Sequence, residues 1–153
     1  MARAYKALPP ASELWERFEY KPLTGDLLPK GAERRVARSS GYRVTWDGTR
    51  LCMTHRLIFK WVYGVEPVLD VDHRDGNPDN NRAWNLRQAT KPQNMSNRKN
   101  TKGYERLPSG SFRARIRVNG KQLRLGVYPT AAEARAAYVK ASLELHGEFS
   151  SAR

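Results

Sequence analysis

The fold of the first part of the chain is decided by the stretch Val71-Asp-His-Arg-Asp-Gly-Asn-Pro-Asp-Asn-Asn81. An apolar run enters this stretch, with Val68 and Leu69 just before it, and predicts a strand. The Gly, Asn, Pro and Asp residues that follow are typical of a loop. The stretch therefore predicts a strand that ends in a polar loop, with Asp72 and His73 at the junction.

A second strand and a helix are predicted to follow the loop. Residues 86–90 form the predicted strand. Thr90 and Gln93 have the spacing of a capping box, and Pro92 falls in the first turn of the helix that the box would begin. Residues 65–98 thus predict a unit of strand, loop, strand and helix.

Three side chains of this unit have the chemistry of a hydrolytic metal site. Neighbouring residues of a regular strand point to opposite sides, but this limit relaxes at a strand end, where Asp72 and His73 fall. Asn94 falls in the first turn of the helix, and a carboxylate with a carboxamide oxygen suits one hard divalent cation that keeps several waters. An imidazole with a pKa of about 6.5 can take a proton from water near neutral pH. The set predicts metal-assisted phosphodiester hydrolysis, with His73 as the base.

The same residues carry a family resemblance. The opening stretch, with Asn85-Leu86 and Gln93-Asn94-Met-Ser-Asn-Arg98, resembles the HNH endonuclease family. It is most similar to the branch of phage and intron-encoded homing and nicking endonucleases, which the segment Thr54-His55-Arg56-Leu57 before a helix also resembles. The resemblance covers roughly residues 12–98 and implies a ββα-metal nuclease domain.

The resemblance also implies a role for each motif residue. His73 is the expected general base, and Asp72 and Asn94 are the expected ligands of one divalent cation per active site. Asn85 is expected to hold the loop and to help orient the histidine. Asn94 stands where many members have His, so the motif is an H-N-N variant, which favours Mg²⁺ or Mn²⁺ over tight Zn²⁺ binding. We assign Asn77, Asn80 and Asn81 to the turn alone, and His55 to a structural or phosphate-facing role.

The chain before this unit predicts further elements. These are a helix at residues 13–20 and a loop at residues 31–40. A two-stranded hairpin follows at residues 42–46 and 50–53, and then a second helix at residues 55–63. Asp47-Gly48 is a strong hairpin turn pair. Thr54 is predicted to cap the second helix, and Gly64 to end it.

Residues 104–149 predict a small sheet that a helix covers on one face. In residues 111–118 apolar residues alternate with arginines, and Asn119-Gly120 predicts a hairpin that returns over residues 121–128, with Leu123 and Leu125 inward. Thr130 and Glu133 form a second capping-box pair. The helix that follows has an apolar stripe that includes Leu145.

The outer face of this sheet is rich in arginine. Like charges across a sheet repel, so an unpaired arginine face predicts an external anion such as duplex DNA, whose guanine arginine can also contact bidentately. The predicted DNA-binding residues are Arg98, Lys99, Lys102, Arg113, Arg115, Arg117, Lys121, Gln122 and Arg124. Nearly all of residues 102–149 resembles the ethylene-response-factor (Apetala-type) DNA-binding domain. Arg124 stands where plant members often have Trp, and Glu105 where they often have Arg, so a target sequence is not carried over.

The composition limits the kinds of partner and the cellular location that we expect for this protein. The 153 residues have a formal net charge of +13 and a pI of about 10.3, which favours nucleic acid as partner, with an anionic membrane surface second. No stretch approaches the ~18 apolar residues of a spanning helix. The one cysteine, Cys52, excludes a disulfide framework, and the N-terminus lacks the apolar segment of a signal peptide. We therefore expect a cytoplasmic protein that is not secreted.

Taken together, the sequence predicts an α+β protein of two domains, residues 1–98 and 99–153. The predicted function is a metal-dependent endonuclease of double-stranded DNA, with neither a membrane nor a small-molecule substrate as partner. A non-catalytic, sequence-specific DNA-binding regulator is the alternative, and an RNA-binding protein is a third hypothesis. The target sequence, nicking against double-strand cleavage, and the oligomeric state stay open.

Overall fold

The computed structural model describes residues 5–32, 37–98 and 101–152. The chain divides into two compact units, Met1–Ala89 and Thr90–Arg153. The predicted domain boundary after residue 98 stays a prediction. The predicted mixture of helices and small antiparallel sheets is confirmed, whereas the ββα-metal arrangement stays a prediction. None of the helices in the described ranges has the length and apolar character needed to cross a membrane.

The first unit contains two helices and seven short strands in its described part. They are α1 (Ala11–Arg17), β1 (Phe18–Lys21), β2 (Asp26–Pro29), β3 (Ala37–Ser39), β4 (Tyr42–Trp46), β5 (Leu51–Met53), α2 (Thr54–Tyr63), β6 (Asp70–His73) and β7 (Leu86–Ala89). A 3-10 turn, Ala83–Asn85, leads into β7. Strands β1 and β2 form one antiparallel hairpin, β6 and β7 form another, and β3, β4 and β5 form a three-stranded sheet.

The core of the first unit lies around α2. Leu57 and Ile58 are fully buried and pack with Leu14 and Phe18 from the start of the chain. Arg56, also buried, donates hydrogen bonds from its guanidinium to the carbonyl oxygens of Pro67 (2.8 Å) and Leu69 (2.9 Å). A helix side chain therefore fixes the backbone that enters β6.

The hairpin predicted at Asp47-Gly48 is confirmed. The Asp47 carboxylate accepts hydrogen bonds from the backbone N–H groups of Thr49 (2.8 Å) and Arg50 (2.9 Å), which closes the turn. Gly48 has φ of +106°, a conformation that a residue without Cβ adopts at little cost. Gly64, with φ of +72°, ends α2 as predicted.

Four predictions of local structure are wrong. The first helix ends at Arg17, and Phe18 begins a strand whose apolar residues are buried in a hairpin. Strand β3 occupies residues 37–39 of the predicted loop at residues 31–40, of which residues 33–36 lie outside the described residues. Thr54 is the first helical residue and Met53 occupies the cap position, while the Thr54 hydroxyl pairs with that of Thr45 at 2.9 Å. Val68 and Leu69 are exposed and lie before β6.

The second unit holds α3 (Lys91–Ser96), β8 (Tyr104–Arg106), β9 (Phe112–Val118), β10 (Lys121–Tyr128) and α4 (Ala131–His146), followed by a 3-10 turn, Gly147–Phe149. The strands form an antiparallel sheet with β9 in the centre. Asn119 and Gly120 both have positive φ, 49° and 80°, as the predicted tight hairpin requires. Both predicted capping boxes are present.

One face of this sheet packs on α4. Ile116 of β9 is buried against Tyr138 and Ala141 of the helix. Leu123 and Leu145, predicted to face the core, are instead 43% and 47% exposed. The register of β10 against β9 shifts between Arg124 and Gly126. Such a bulge bends the strand locally.

The packing of Gly103 on Tyr138 yields a stability prediction. Gly103 has φ of +75°, and a Cβ there would overlap the Tyr138 ring, which is itself buried. Gly103→Ala should cost about 1–2 kcal/mol for the left-handed backbone and on the order of 1–3 kcal/mol more for the overlap. Gly110→Ala is the matched control, because Gly110 has φ of +89° and open space at the Cβ position. Thermal unfolding followed by circular dichroism should give a lower midpoint for Gly103→Ala; equal midpoints would contradict the prediction.

Candidate active site and nucleic-acid interface

The β6–β7 hairpin places Asp72 and His73. Antiparallel pairing sets Asp72 opposite Arg87 and His73 opposite Leu86, and His73 is the last residue of β6. Both titratable side chains are buried, although they come directly before a polar loop. A buried imidazole and a buried carboxylate in one hairpin need polar partners, because burial without them costs several kcal/mol.

Asp72 has its partner across the strand pair. Both Nε and a terminal nitrogen of Arg87 lie 3.0 Å from Oδ2 of Asp72, and both side chains are almost fully buried. Removing one member of such a pair leaves an uncompensated charge in the interior. The carboxylate expected to bind a metal is therefore held in place by a cation of the same hairpin.

Asn85 holds the loop between β6 and β7 from the inside. Its side chain is fully buried, and its Nδ2 donates to Asp75 Oδ1 (2.9 Å) and to the carbonyl oxygen of Asn80 (2.8 Å). Its Oδ1 accepts from the backbone N–H of Asp75 at 3.1 Å. One carboxamide thus connects both ends of the loop, which is the loop-holding part of the predicted role. The described contacts of Asn85 do not include His73.

Asn81 contacts the histidine. Its Oδ1 lies 2.8 Å from Nε2 of His73, and both residues are buried. The assignment of Asn81 to the turn alone is therefore wrong. The sequence cannot show which asparagine of this loop faces inward, because asparagine is a typical turn residue at every one of these positions. Only the packing of the loop separates Asn81 from the more exposed Asn77 and Asn80.

The first hairpin of the chain fixes the backbone of Asn81. The Tyr20 hydroxyl donates to the Asn81 carbonyl oxygen at 3.3 Å and accepts from the backbone N–H of Ala83 at 2.7 Å. Gly25, with φ of +74°, approaches so closely that a Cβ would lie 2.7 Å from the carbonyl carbon of Asn81. Burial raises the pKa of Tyr20, despite the opposing hydrogen bond to Ala83, so its hydroxyl keeps its proton and can donate.

Two further rings surround His73. The His55 ring meets it edge-on with 5.1 Å between centroids, and Tyr42 lies 5.5 Å from His55 and 6.2 Å from His73. Burial, with a smaller contribution from the neighbouring His73, lowers the pKa of His55 to about 3, so His55 is neutral at neutral pH. The structural role predicted for His55 agrees with this packing. For Tyr42 the sequence predicts only a place in the strand at residues 42–46.

Burial also sets the charge state of His73. It lowers the pKa of His73 below the ordinary 6.5, although the Asn81 hydrogen bond and the carboxylates of Asp72 and Asp75 act in the opposite direction. The imidazole is therefore neutral at neutral pH. A neutral imidazole can accept a proton, which an imidazolium cannot.

The last predicted site residue lies in the second unit. Asn94 falls in the first turn of α3, and its backbone N–H donates to the Thr90 carbonyl oxygen at 2.9 Å. Its assignment as a metal ligand comes from the sequence motif and stays a prediction. Within the first unit, the structure brings Asp72, His73 and Asn85 into one hairpin.

The sequence predicts an unpaired arginine face on this sheet, but two of its arginines have a carboxylate partner. Glu105 of β8 lies 3.3 Å from Nε of Arg113 and 3.1 Å from a terminal nitrogen of Arg115. The expectation of unpaired arginines is therefore wrong at these two positions. Across the described ranges, no carboxylate pairs with Arg117 or Arg124, and both are exposed.

Other predicted DNA-binding residues are also exposed. These are Arg98, Lys102, Lys121 and Gln122, whereas Lys99 lies outside the described residues. Gln122 stands opposite Arg117 on the neighbouring strand, and Arg124 opposite Arg115. Directly opposed residues share one face of a sheet. The face around β9 and β10 thus combines free cations with one amide, while Glu105 neutralises part of the charge.

Comparisons with known proteins support part of the predicted assignment. Residues 52–96 match the family model described as HNH endonuclease, and this segment contains Asp72, His73, Asn85 and Asn94. The chain is 34% identical over 115 residues to an uncharacterised HNH endonuclease of Acanthamoeba polyphaga mimivirus. This match covers 72% of the chain and 61% of the relative's length. No solved structure matches. The match over residues 52–96 supports the predicted HNH endonuclease domain for that segment, and the Apetala-type domain stays a prediction.

The contacts of Asn85 predict its contribution to stability. Asn85→Ala removes three hydrogen bonds inside the loop and should lower the free energy of unfolding by about 1–3 kcal/mol. Asn77→Ala is the control in the same loop, because the side chain of Asn77 is exposed and accepts one bond, from Asp79 N–H. Urea unfolding measures both. A loss no larger for Asn85→Ala than for Asn77→Ala would show that Asn85 does not hold the loop.

Proposed function

We propose that this protein is an HNH endonuclease that hydrolyses phosphodiester bonds of double-stranded DNA with the help of one divalent cation. The observation that carries the proposal is the buried His73, neutral and hydrogen-bonded to Asn81, beside Asp72 within the segment that the family model matches. A phage or mobile-element homing endonuclease is the biological setting we propose, and the matched relative comes from a virus.

His73 acts as the general base in this proposal. Its neutral imidazole takes a proton from the water that attacks the scissile phosphorus. Asn81, through the hydrogen bond to Nε2, and His55, through ring contact, hold the imidazole while this proton moves. Because the ring is buried, bulk water does not compete for its hydrogen bonds.

The donor set fits a hard divalent cation. Asp72 offers a carboxylate and Asn94 a carboxamide oxygen, and Mg²⁺ and Mn²⁺ are bound by such oxygens together with waters. When bound, the cation would stabilise the negative charge that develops on the scissile phosphate and on the leaving oxygen. Arg87 contacts Oδ2 of Asp72 and so fixes the direction in which the carboxylate points. The assignment of both ligands rests on the motif and on this chemistry.

The second unit binds the duplex in our proposal. The exposed arginines Arg117 and Arg124 neutralise phosphates, and the exposed Gln122 on the same face contacts base edges. The similarity of residues 102–149 to the Apetala-type domain supports this role. The observed three-stranded sheet on a single helix is compatible with it.

Supercoiled plasmid incubated with Mg²⁺ tests the function. Purified protein should convert it to relaxed or linear product, and chelation of the metal should stop the conversion. Binding of the plasmid without any cleavage would favour the non-catalytic DNA-binding regulator instead. Preference for RNA over duplex DNA in competition would favour the RNA-binding hypothesis. Mapping the ends on both strands of a cleaved plasmid distinguishes nicking from double-strand cleavage.

His73→Ala should abolish cleavage and leave DNA binding intact. The loss of a positioned general base lowers the rate by at least about 10²-fold, whereas a buried imidazole offers no charge to phosphates. His146→Ala is the matched control, since His146 lies at the end of α4 and has no part in the proposed site. Plasmid cleavage and fluorescence anisotropy measure the two properties. Cleavage by His73→Ala at the wild-type rate would refute the assigned base.

The pairing by Glu105 predicts which arginines bind phosphate. Arg117→Gln and Arg124→Gln should each weaken duplex binding and reduce the slope of log K against log salt by about 1, because one phosphate contact is lost. Arg113→Gln should change the slope less, since Glu105 already offsets that charge. Lys140→Gln removes an equal charge from the exposed side of α4 and should leave the slope unchanged. Equal slopes for Arg117→Gln and Lys140→Gln would contradict the assigned surface.

A further inference from the structure

We propose that Asn81 is a positioning residue that keeps the ring proton of His73 on Nε2 and so makes Nδ1 the nitrogen that accepts a proton from water. This inference rests on the proposed function only in naming His73 as the base. Its structural part, the position of one proton, can be measured without any cleavage reaction.

The chemistry of the contact determines the position of the proton. The atom of Asn81 that faces the ring, at 2.8 Å from Nε2, is the amide oxygen Oδ1. An amide oxygen only accepts hydrogen bonds, so Nε2 must donate. A neutral imidazole has a single N–H, and Nδ1 therefore holds the lone pair. With the proton on the other nitrogen, Nε2 and Oδ1 would oppose two lone pairs in a buried space.

Burial makes this contact effective. Asn81 is 1% exposed and His73 is 4% exposed, so water cannot replace the bond without opening the loop. A buried acceptor that loses its donor costs about 1–3 kcal/mol. That free energy is enough to favour the Nε2–H tautomer strongly, whereas in water both tautomers of the neutral imidazole would be populated.

The amide is itself held in place. Tyr20 donates to the backbone carbonyl of Asn81, and Gly25 packs against the backbone of Asn81 and Arg82. On the other side of the loop, Asn85 bonds the carbonyl oxygen of Asn80, the residue before Asn81. The orientation of the amide is therefore a property of the folded unit.

The ring of His73 is limited from a second direction. His55 meets it edge-on at 5.1 Å, and Tyr42 lies 6.2 Å away on a tilted ring plane. A ring flip that exchanged Nε2 for Nδ1 would have to displace these rings. Contact with Asn81 and with these two rings therefore restricts the orientation of the His73 ring.

Nitrogen-15 spectra of the full-length protein labelled at histidine test the position of the proton directly. The chain has three histidines, so His73 can be assigned by comparison with His73→Gln. Above the titration range of His73, we expect its Nε2 to show the shift of a protonated nitrogen and its Nδ1 that of an unprotonated one. Proton on Nδ1 in the wild type would mean that the amide presents its NH2 to the ring, and would overturn the proposal.

Two substitutions at Asn81 separate positioning from folding. Asn81→Leu removes the acceptor at similar size, so His73 should lose the pure Nε2–H pattern, and kcat should fall about 10²-fold with unchanged affinity for DNA. Asn81→Asp retains an acceptor oxygen and should restore the Nε2–H pattern and part of the turnover. Asn77→Ala, in the same loop but without contact to the ring, should leave both readouts at the wild-type level.

The outcomes distinguish this inference from the proposed function. If the wild type shows the Nε2–H pattern, lost in Asn81→Leu, but cuts no DNA, the positioning of the proton stands and the nuclease assignment fails. If the wild type cuts DNA and folded Asn81→Leu retains both the spectrum and the rate, the role of Asn81 is refuted and the nuclease stands. Should Asn81→Leu not fold, the wild-type and Asn81→Asp spectra still decide the matter.

Discussion

The geometry of the site depends on the fully buried carboxamide of Asn85. This one side chain uses both donors and its acceptor on the loop, where it bonds the backbone N–H and the carboxylate of Asp75 and the carbonyl of Asn80. A loop rich in Asn, Asp and Gly has many turn conformations available in water, and ordering it costs about 1–2 kcal/mol per residue. The bonds of Asn85 select one of these conformations. In that conformation Asn81 turns inward and its amide reaches His73.

Part of the strong positive charge is paired with carboxylates inside the protein and is not available to a partner. Several arginines are engaged within the described part of the protein: Arg87 holds Asp72, Arg43 lies 2.6 Å from Asp26, and Glu105 contacts Arg113 and Arg115. The two partly exposed pairs of Glu105 add little stability. All of these ion pairs nevertheless reduce the number of arginines that are available to bind the phosphates of a polyanion. A net charge of +13 therefore overstates the number of phosphate contacts that the chain can make.

The sequence predicts the elements with local causes and misses those with distant ones. The hairpins at Asp47-Gly48 and Asn119-Gly120 and the capping boxes at Thr90 and Thr130 lie within a few residues of their causes, and all four are present. Motif spacing singles out Asp72, His73 and Asn85, which the structure places in one hairpin, and their roles stay predictions. The roles of Asn81 and Tyr42 depend on residues 8 and 31 positions away in the chain, and no local pattern marks such contacts. The early end of α1 has the same origin, since Phe18 enters a hairpin with β2.

The segment that the family model matches contains the chemical groups, but residues before it hold their geometry. Residues 52–96 include the predicted base, the predicted ligands and the loop carboxamide. Tyr20 and Gly25, which fix the backbone of Asn81, belong to the first hairpin, and Tyr42, which packs on His55, belongs to β4. Since Tyr20 bonds both the Asn81 carbonyl and the Ala83 N–H, its loss would leave two backbone groups of the loop without partners at once. The β1–β2 hairpin is thus part of the site in a physical sense, because the position of the base depends on it as much as on the motif.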